Sequence, residues 1–205
     1  MLESSWTRCW TFIGASGTGR ALMRQLLDAY QAPPRTYHTV QHLTECLALY
    51  NDYRARAQAP GEVEIALWFH DAVYDVKAAN NEERSAAWAM HALQHAGVHL
   101  ACIGRVKEHI LATRHATPPQ GQDQALLVDI DLAILGAESE RFEEYEAQIR
   151  AEYSDVPSPL FRRKRRQILE GFLARSSIYA TPELRQRFEE RARQNIARAI
   201  AWLGG

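Results

Sequence analysis

Cysteine is scarce in this sequence, and its placement gives no sign of a disulfide framework. The chain has three cysteines, Cys9, Cys46 and Cys102, which lie far apart and form no CxxC pair. This usage indicates reduced thiols and argues against the small, disulfide-stapled class of secreted proteins. The first residues also lack the apolar core of a signal peptide, so we expect a cytoplasmic protein.

Long apolar runs and strong net charge are also missing. No stretch approaches the roughly 18 uninterrupted apolar residues that span a bilayer, so we expect no membrane partner. The formal net charge is −1, which gives no general electrostatic reason to bind nucleic acid. The exception is a basic run at residues 162–166, which we interpret as a solvated helix face and which alone favours a polyanionic partner.

Length and composition suit one globular domain. The chain has 205 residues, of which 46% are hydrophobic and 24% are charged. A chain of this size can bury a sizeable core, and chains usually split into domains only beyond about 250 residues. We predict a single domain over residues 1–205, with residues 1–17 as an N-terminal extension.

Apolar residues recur at steps of three and four along the chain, which is the period of an α-helix. No segment gives a convincing strand pattern, so the predicted fold class is all-α. The helix expected at residues 62–74 is apolar on nearly every face, which is typical of a buried helix. The other expected helices cover residues 18–31, a segment starting at Thr36 or Tyr37, and residues 81–96, 99–114, 123–135, 138–154, 159–175 and 182–203.

Two polar residues, His70 and Asp71, end the apolar run of the buried helix. A buried carboxylate costs several kcal/mol unless it is paired, protonated or bound to a metal ion. Imidazole and carboxylate groups are both good ligands for divalent ions. The alternative is a helix end at which both side chains reach solvent or cap a neighbour.

Two further histidines, His38 and His42, are four residues apart in the segment YHTVQH. On a helix this spacing places them on one face, one turn from each other. They could then bind one ion together, or one could bind the ion while the other faces a substrate. Taken alone, the pair is more typical of two surface histidines.

Two aspartates, Asp129 and Asp131, lie in the apolar segment LLVDIDLAIL. Residues two apart on a helix point about 200° away from each other, so only one can face a given ion. The other could cap a helix, pair with an arginine or orient a ligand. A salt-bridged structural carboxylate is the alternative for both.

The order of these features, a histidine segment, a buried His-Asp pair and a later buried aspartate, resembles the HD superfamily and its pattern H…HD…D. The likeness runs from about residue 35 to the C-terminus and is similar to a bacterial group of small predicted metal-dependent phosphohydrolases. One departure is a Lys164-Arg165 or Arg165-Arg166 pair where that group usually has Gly-Arg. The segments that carry the likeness are YHTVQH, ALWFHDAVYD, NNEERSA, ATRH, DIDLAILG, IRAEY and ARQNIA.

The resemblance implies a compact helical bundle of the HD-domain, phosphodiesterase-like type that binds a divalent metal ion. Cyclic nucleotide phosphodiesterases share the YHxxxH pattern, and in them the second histidine binds metal while the first donates a proton. Carried over, this makes His38 the acid, and Asp71 both a ligand and a catalytic residue. The implied metal ligands are His42, His70, Asp71 and Asp131, with Asp129 and His38 in reserve.

The resemblance further implies hydrolysis of a small phosphorylated substrate, a nucleotide or another small phosphate ester, through a metal-activated water. Nitrogen and oxygen ligands suit Mn, Fe, Ni, Co, Zn or Mg. The alternatives are a non-catalytic sensor that binds metal and nucleotide, and a nucleic-acid-binding protein that uses the basic run. A homodimer is left open. The candidate substrate-binding residues are Tyr74, Asn81, Glu82, His115 and Arg150.

Overall fold

The computed structural model of the protein describes residues 1–204, and it is all-helical, which confirms the predicted fold class. Every helix except the first overlaps a predicted one. No helix in the described part of the chain is both long and apolar enough to cross a bilayer. The helices are α1 (Leu2–Phe12), α2 (Arg20–Tyr30), α3 (Val40–Tyr53), α4 (Pro60–Phe69), α5 (Asn81–His95), α6 (Leu100–Ala112), α7 (Gly121–Asp131), α8 (Ser139–Glu152), α9 (Ser158–Leu173) and α10 (Pro182–Gly204), with 3₁₀ helices at Arg54–Arg56 and Leu132–Gly136.

The chain divides into two compact units, and the boundary falls inside α7. The first unit is Met1–Val128, and the second begins at Asp129. A single domain over the whole chain stays a prediction. The segment expected to be an N-terminal extension contains α1, which belongs to the first unit.

The first unit is built around α4. Every residue from Gly61 to Phe69 is buried, and α1, α3, α5 and α6 all pack against this helix. The helix was predicted to continue to residue 74, but it ends at Phe69. The chain then turns tightly, and the Ala72 N–H donates to the Phe69 carbonyl at 3.0 Å. His70 and Asp71 therefore follow the C-terminal end of a buried helix.

The N-terminal helix α1 contributes aromatic core to this unit. The Trp6 ring stacks on Trp10 with centroids 5.0 Å apart and meets Trp68 of α4 edge-on at 5.1 Å. A Cβ at Gly61 would lie 2.6 Å from the Cβ of Phe12, so glycine permits the close approach of α1 to α4. Full burial of side chains of this size is worth about 1.5–3 kcal/mol each.

Helix α4 also carries two buried carboxylates within its apolar sequence. Glu64 forms an ion pair with Arg8 of α1 and accepts a hydrogen bond from the Ser5 hydroxyl at 2.7 Å. Glu62 accepts two hydrogen bonds from the guanidinium of Arg105 in α6, at 2.6 and 2.7 Å. The partners satisfy charges that would otherwise be costly in the core, and they tie α4 to its neighbours.

The second unit is organised by α10, which packs against α9 and the 3₁₀ helix at Leu132–Gly136. The buried amide of Asn195 donates to the carbonyls of Leu135 and Ala137, each at 2.9 Å. These bonds satisfy backbone groups at the end of the 3₁₀ helix.

The basic run lies on α9 and was expected to be a solvated face. This is wrong for Arg165, whose buried guanidinium pairs with Glu146 of α8 and lies 5.0 Å from the Tyr145 ring. The other four residues of the run are exposed. The helical period explains the difference, because one residue in a run of five must turn towards the core.

Candidate metal site

The His70 imidazole has one ring nitrogen held by its own helix. Its Nδ1 lies 2.7 Å from the Leu67 carbonyl oxygen. A carbonyl can only accept, so Nδ1 carries the proton, and Nε2 has a lone pair to offer when the ring is neutral. The C-terminal end of an α-helix also carries partial negative charge, which favours a cation nearby.

Three of the predicted ligands, His42, His70 and Asp71, converge at the Nε2 atom of this ring. The Nε2 atoms of His42 and His70 are 3.1 Å apart, and Asp71 Oδ2 lies 3.5 Å from the first and 3.1 Å from the second. Two ligand atoms bonded to one ion at about 2.1 Å are separated by roughly 3.0–3.4 Å in octahedral or tetrahedral geometry. The triangle therefore has the dimensions of a metal-binding face.

Cys46 is a potential ligand that the sequence reading missed. Ligand atoms of His42, Cys46 and His70 lie within 4.8 Å of one another, which makes these buried residues a candidate metal-binding cluster. The Cys46 Sγ atom is 3.7 Å from both ring nitrogens of His42. The available signal was its position four residues after His42, on the same face of α3.

The site combines buried imidazoles with a charged carboxylate. His42 is 2% exposed and His70 is 1% exposed, whereas Asp71 is half-buried. Burial alone would raise the pKa of the Asp71 carboxyl, but His70, His38 and His42 outweigh it and lower this pKa well below its usual range. A carboxylate anion with imidazole nitrogens is a donor set that divalent ions favour, so the residues present fit a metal ion.

His38 lies close to the site, but it is not on helix α3 as predicted. Helix α3 does not begin at residue 36 or 37; it begins at Val40, because Thr39 is an extended N-cap whose hydroxyl accepts from the Gln41 N–H at 3.3 Å. His38 lies in the preceding turn, so it does not share a helix face with His42. Its ring nevertheless stacks on Tyr74 at 3.9 Å and lies 6.0 Å from the His42 ring.

Arg35 joins the two segments that carry the ligands, and the sequence reading missed it. Its Nη1 donates to the carbonyls of His38 at 3.1 Å and Asp71 at 2.6 Å, and its Nη2 donates to the Ala72 carbonyl at 2.9 Å. The buried Tyr30 hydroxyl adds a second link, since it accepts the Asp71 N–H at 3.3 Å. No local pattern distinguishes an arginine with this role from any other loop arginine.

The two aspartates of the DID segment have different surroundings in the second unit. The buried Asp129 carboxylate accepts the backbone N–H groups of Ala180 at 2.9 Å and Thr181 at 2.5 Å, just before α10. Burial raises the pKa of Asp129 above its usual value, although these hydrogen bonds oppose the shift. Asp131 is the half-buried last residue of α7.

Two of the candidate substrate-binding residues lie near the C-terminal end of α4. Tyr74 is half-buried and is stacked on His38 beside the metal-binding face. Asn81 opens α5 and exchanges two hydrogen bonds with the backbone of Asp75, at 3.0 and 3.1 Å. Asn81 therefore holds the turn between α4 and α5, and a direct contact with substrate stays a prediction.

The other three candidates are more dispersed. Glu82 lies in the first turn of α5, and His115 follows α6 with a left-handed φ of 55°. Arg150 belongs to the second unit, where its guanidinium donates to the carbonyls of Tyr153 at 2.7 Å and Val156 at 3.2 Å. These bonds give Arg150 a structural role at the end of α8.

Comparison of the chain with protein-family models, with curated proteins and with solved structures finds no match.

Proposed function

We propose that this protein is a metal-dependent phosphohydrolase of the HD type that acts on a small phosphorylated substrate, a nucleotide or another small phosphate ester. One observation carries the proposal: His42 Nε2, His70 Nε2 and Asp71 Oδ2 converge at separations of 3.1–3.5 Å. Atoms with lone pairs repel one another at these distances unless a proton or a cation lies between them. A divalent cation would satisfy all three at once.

We propose His42, His70 and Asp71 as ligands, with Asp131 as a further ligand. The choice of Asp131 comes from the motif order H…HD…D. It is supported by the occupation of both Asp129 oxygens by backbone N–H groups. Mn, Fe, Co, Ni, Zn and Mg are all compatible with nitrogen and oxygen ligands.

The proposed chemistry needs an activated water, neutralised phosphoryl oxygens and a proton for the leaving group. A divalent ion bound at the site supplies the first two, because it lowers the pKa of a water ligand and offsets negative charge. His38 would donate the proton to the departing oxygen. Its stacking on Tyr74 and the Arg35 hydrogen bond to its carbonyl would hold the ring beside the site.

Nucleotide specificity rests on the resemblance. Tyr74 is the proposed substrate contact with the strongest structural support, because its ring adjoins His38. Glu82 and His115 are proposed as further contacts, and Asn81 as a residue that holds the turn near them. Arg150 is better explained by its backbone hydrogen bonds within the second unit.

The test begins with purified protein, elemental analysis and a hydrolysis screen. The screen uses nucleoside mono-, di- and triphosphates and cyclic nucleotides, each with Mn, Co, Ni, Zn or Mg. We expect His70→Ala to lose both metal and activity. His95→Ala is the matched control, since His95 is an exposed histidine on α5, and it should retain both.

The role of His38 is tested separately. We expect His38→Ala to keep its metal and to lose roughly 10²- to 10⁴-fold in rate, as is typical for a general acid. Loss of metal from this variant would contradict the role. A wild-type protein that binds metal and substrate nucleotides but hydrolyses none of them would overturn the hydrolase proposal in favour of a sensor.

A further inference from the structure

The Cys46 thiol extends the donor set of the site beyond nitrogen and oxygen. We propose that the Cys46 thiolate is itself a ligand of the ion, so that the site selects a thiophilic divalent ion such as zinc or cobalt over magnesium or manganese. This inference rests on the proposed metal site, and it concerns the identity of the ion rather than the reaction.

The sulfur atom lies beside the two candidate imidazole ligands. In a tetrahedral site with a metal–sulfur bond of about 2.3 Å and a metal–nitrogen bond of about 2.0 Å, the two ligand atoms are about 3.5 Å apart. The separation between Cys46 Sγ and His42 Nε2 is 3.7 Å, but the sulfur is equally far from His42 Nδ1, so the thiol would turn about its Cα–Cβ bond to bind an ion on Nε2. His70 completes the group, since the ligand atoms of the three residues lie within 4.8 Å of one another.

A buried cysteine is often only a small apolar residue of the core, and the other two cysteines fit that description. Cys9 donates its thiol to the Trp6 carbonyl at 3.2 Å within α1. Cys102 lies beside Glu62, and burial together with that carboxylate raises the pKa of Cys102 to about 12. Cys46 differs from both because it faces imidazole nitrogens.

A thiolate changes which ions the site prefers. Magnesium is a hard ion that favours oxygen ligands and retains water, and manganese also suits oxygen donors, whereas thiolate favours softer ions such as zinc. Binding replaces the thiol proton: Cys–SH and a divalent ion give a Cys–S–metal bond and one released proton. Cys46 would therefore add a sulfur donor to the proposed ligands His42, His70 and Asp71, and the sulfur would favour a thiophilic ion.

Cobalt substitution tests the thiolate directly. We expect wild-type protein loaded with one equivalent of Co²⁺ to show a near-ultraviolet thiolate-to-cobalt charge-transfer band. Cys46→Ser should lose the band, whereas the matched variants Cys9→Ser and Cys102→Ser should keep it. In competition between zinc and manganese, Cys46→Ser should shift the preference towards manganese by about tenfold or more, in line with the usual effect of losing a metal-site contact.

The spectrum of the cobalt-loaded wild-type protein tests the thiolate ligand even if Cys46→Ser does not fold. Bound cobalt without the charge-transfer band would overturn the inference, and so would a band that persists in Cys46→Ser. The hydrolysis screen is independent of this result. A charge-transfer band in a protein that hydrolyses nothing would support the thiolate ligand and contradict the proposed hydrolase. Hydrolysis without the band would support the hydrolase and contradict the thiolate ligand.

Discussion

Replacing Arg35 with alanine would test how the site is held together. Its guanidinium donates hydrogen bonds to the carbonyls of His38, Asp71 and Ala72 at 3.1, 2.6 and 2.9 Å. It therefore fixes the turn that contains His38 against the end of α4. Without it, His38 and the candidate ligands His70 and Asp71 would lose their common anchor.

The size of the effect follows from these contacts. A hydrogen bond that involves a charged donor contributes about 1.5–3 kcal/mol. Arg35 is half-buried, so water can replace part of what is lost, and we expect Arg35→Ala to lower the free energy of unfolding by about 2–3 kcal/mol in total. Loss of a group that orients metal ligands typically weakens metal binding by about 10- to 100-fold.

The assay combines urea denaturation of the metal-free protein with titration of cobalt or zinc. Arg105→Ala is the matched control, because Arg105 pairs with the buried Glu62 on α4 and not with the ligand segments. Both variants should be less stable, but only Arg35→Ala should bind metal more weakly. Equal metal affinities in Arg35→Ala and wild type would refute the anchoring role.

Three further predictions concern stability. Asp129→Asn should destabilise the protein by about 1–3 kcal/mol in urea, because an NH₂ group replaces one of the two oxygens that each accept a backbone N–H before α10. An unchanged midpoint would contradict the proposed role. Glu64→Gln should cost a similar amount, about 1–3 kcal/mol, by breaking the ion pair with Arg8. Arg8→Ala should cost more because it removes the counter-charge of a buried carboxylate. Burial lowers the pKa of His109 below its ordinary value, so the unfolded chain binds a proton on this residue more readily than the folded chain does. The free energy of unfolding should therefore fall as the pH drops below about 6.5. In urea denaturation measured between about pH 5 and 8, His109→Gln should reduce this dependence of stability on pH.

The sequence predicted the helical class and three residues of the candidate metal site because both follow from local patterns. The apolar character of α4 indicated burial, and His70 and Asp71 had to be satisfied wherever that helix ended. The error at its end has a local cause as well: the apolar residue Val73 continues the pattern, but the chain has already turned at residues 70–72.

The missed features depend on contacts between distant parts of the chain. Glu62 and Glu64 are tolerated inside α4 only because Arg105 and Arg8 reach them from other helices. Cys46 gains its significance from His42 on the same helix and from His70, which follows the end of α4. Helix periodicity describes one segment at a time and cannot pair a buried charge with a partner more than 40 residues away.

The central claim is that His42, His70 and Asp71 enclose a divalent ion. Elemental analysis of wild-type protein and His70→Ala, purified in parallel without chelator and without a histidine tag, tests it most directly. We expect stoichiometric metal in the wild type and almost none in a folded His70→Ala variant. A metal-free wild type that also fails to bind added divalent ions, or equal metal in both proteins, would contradict the account.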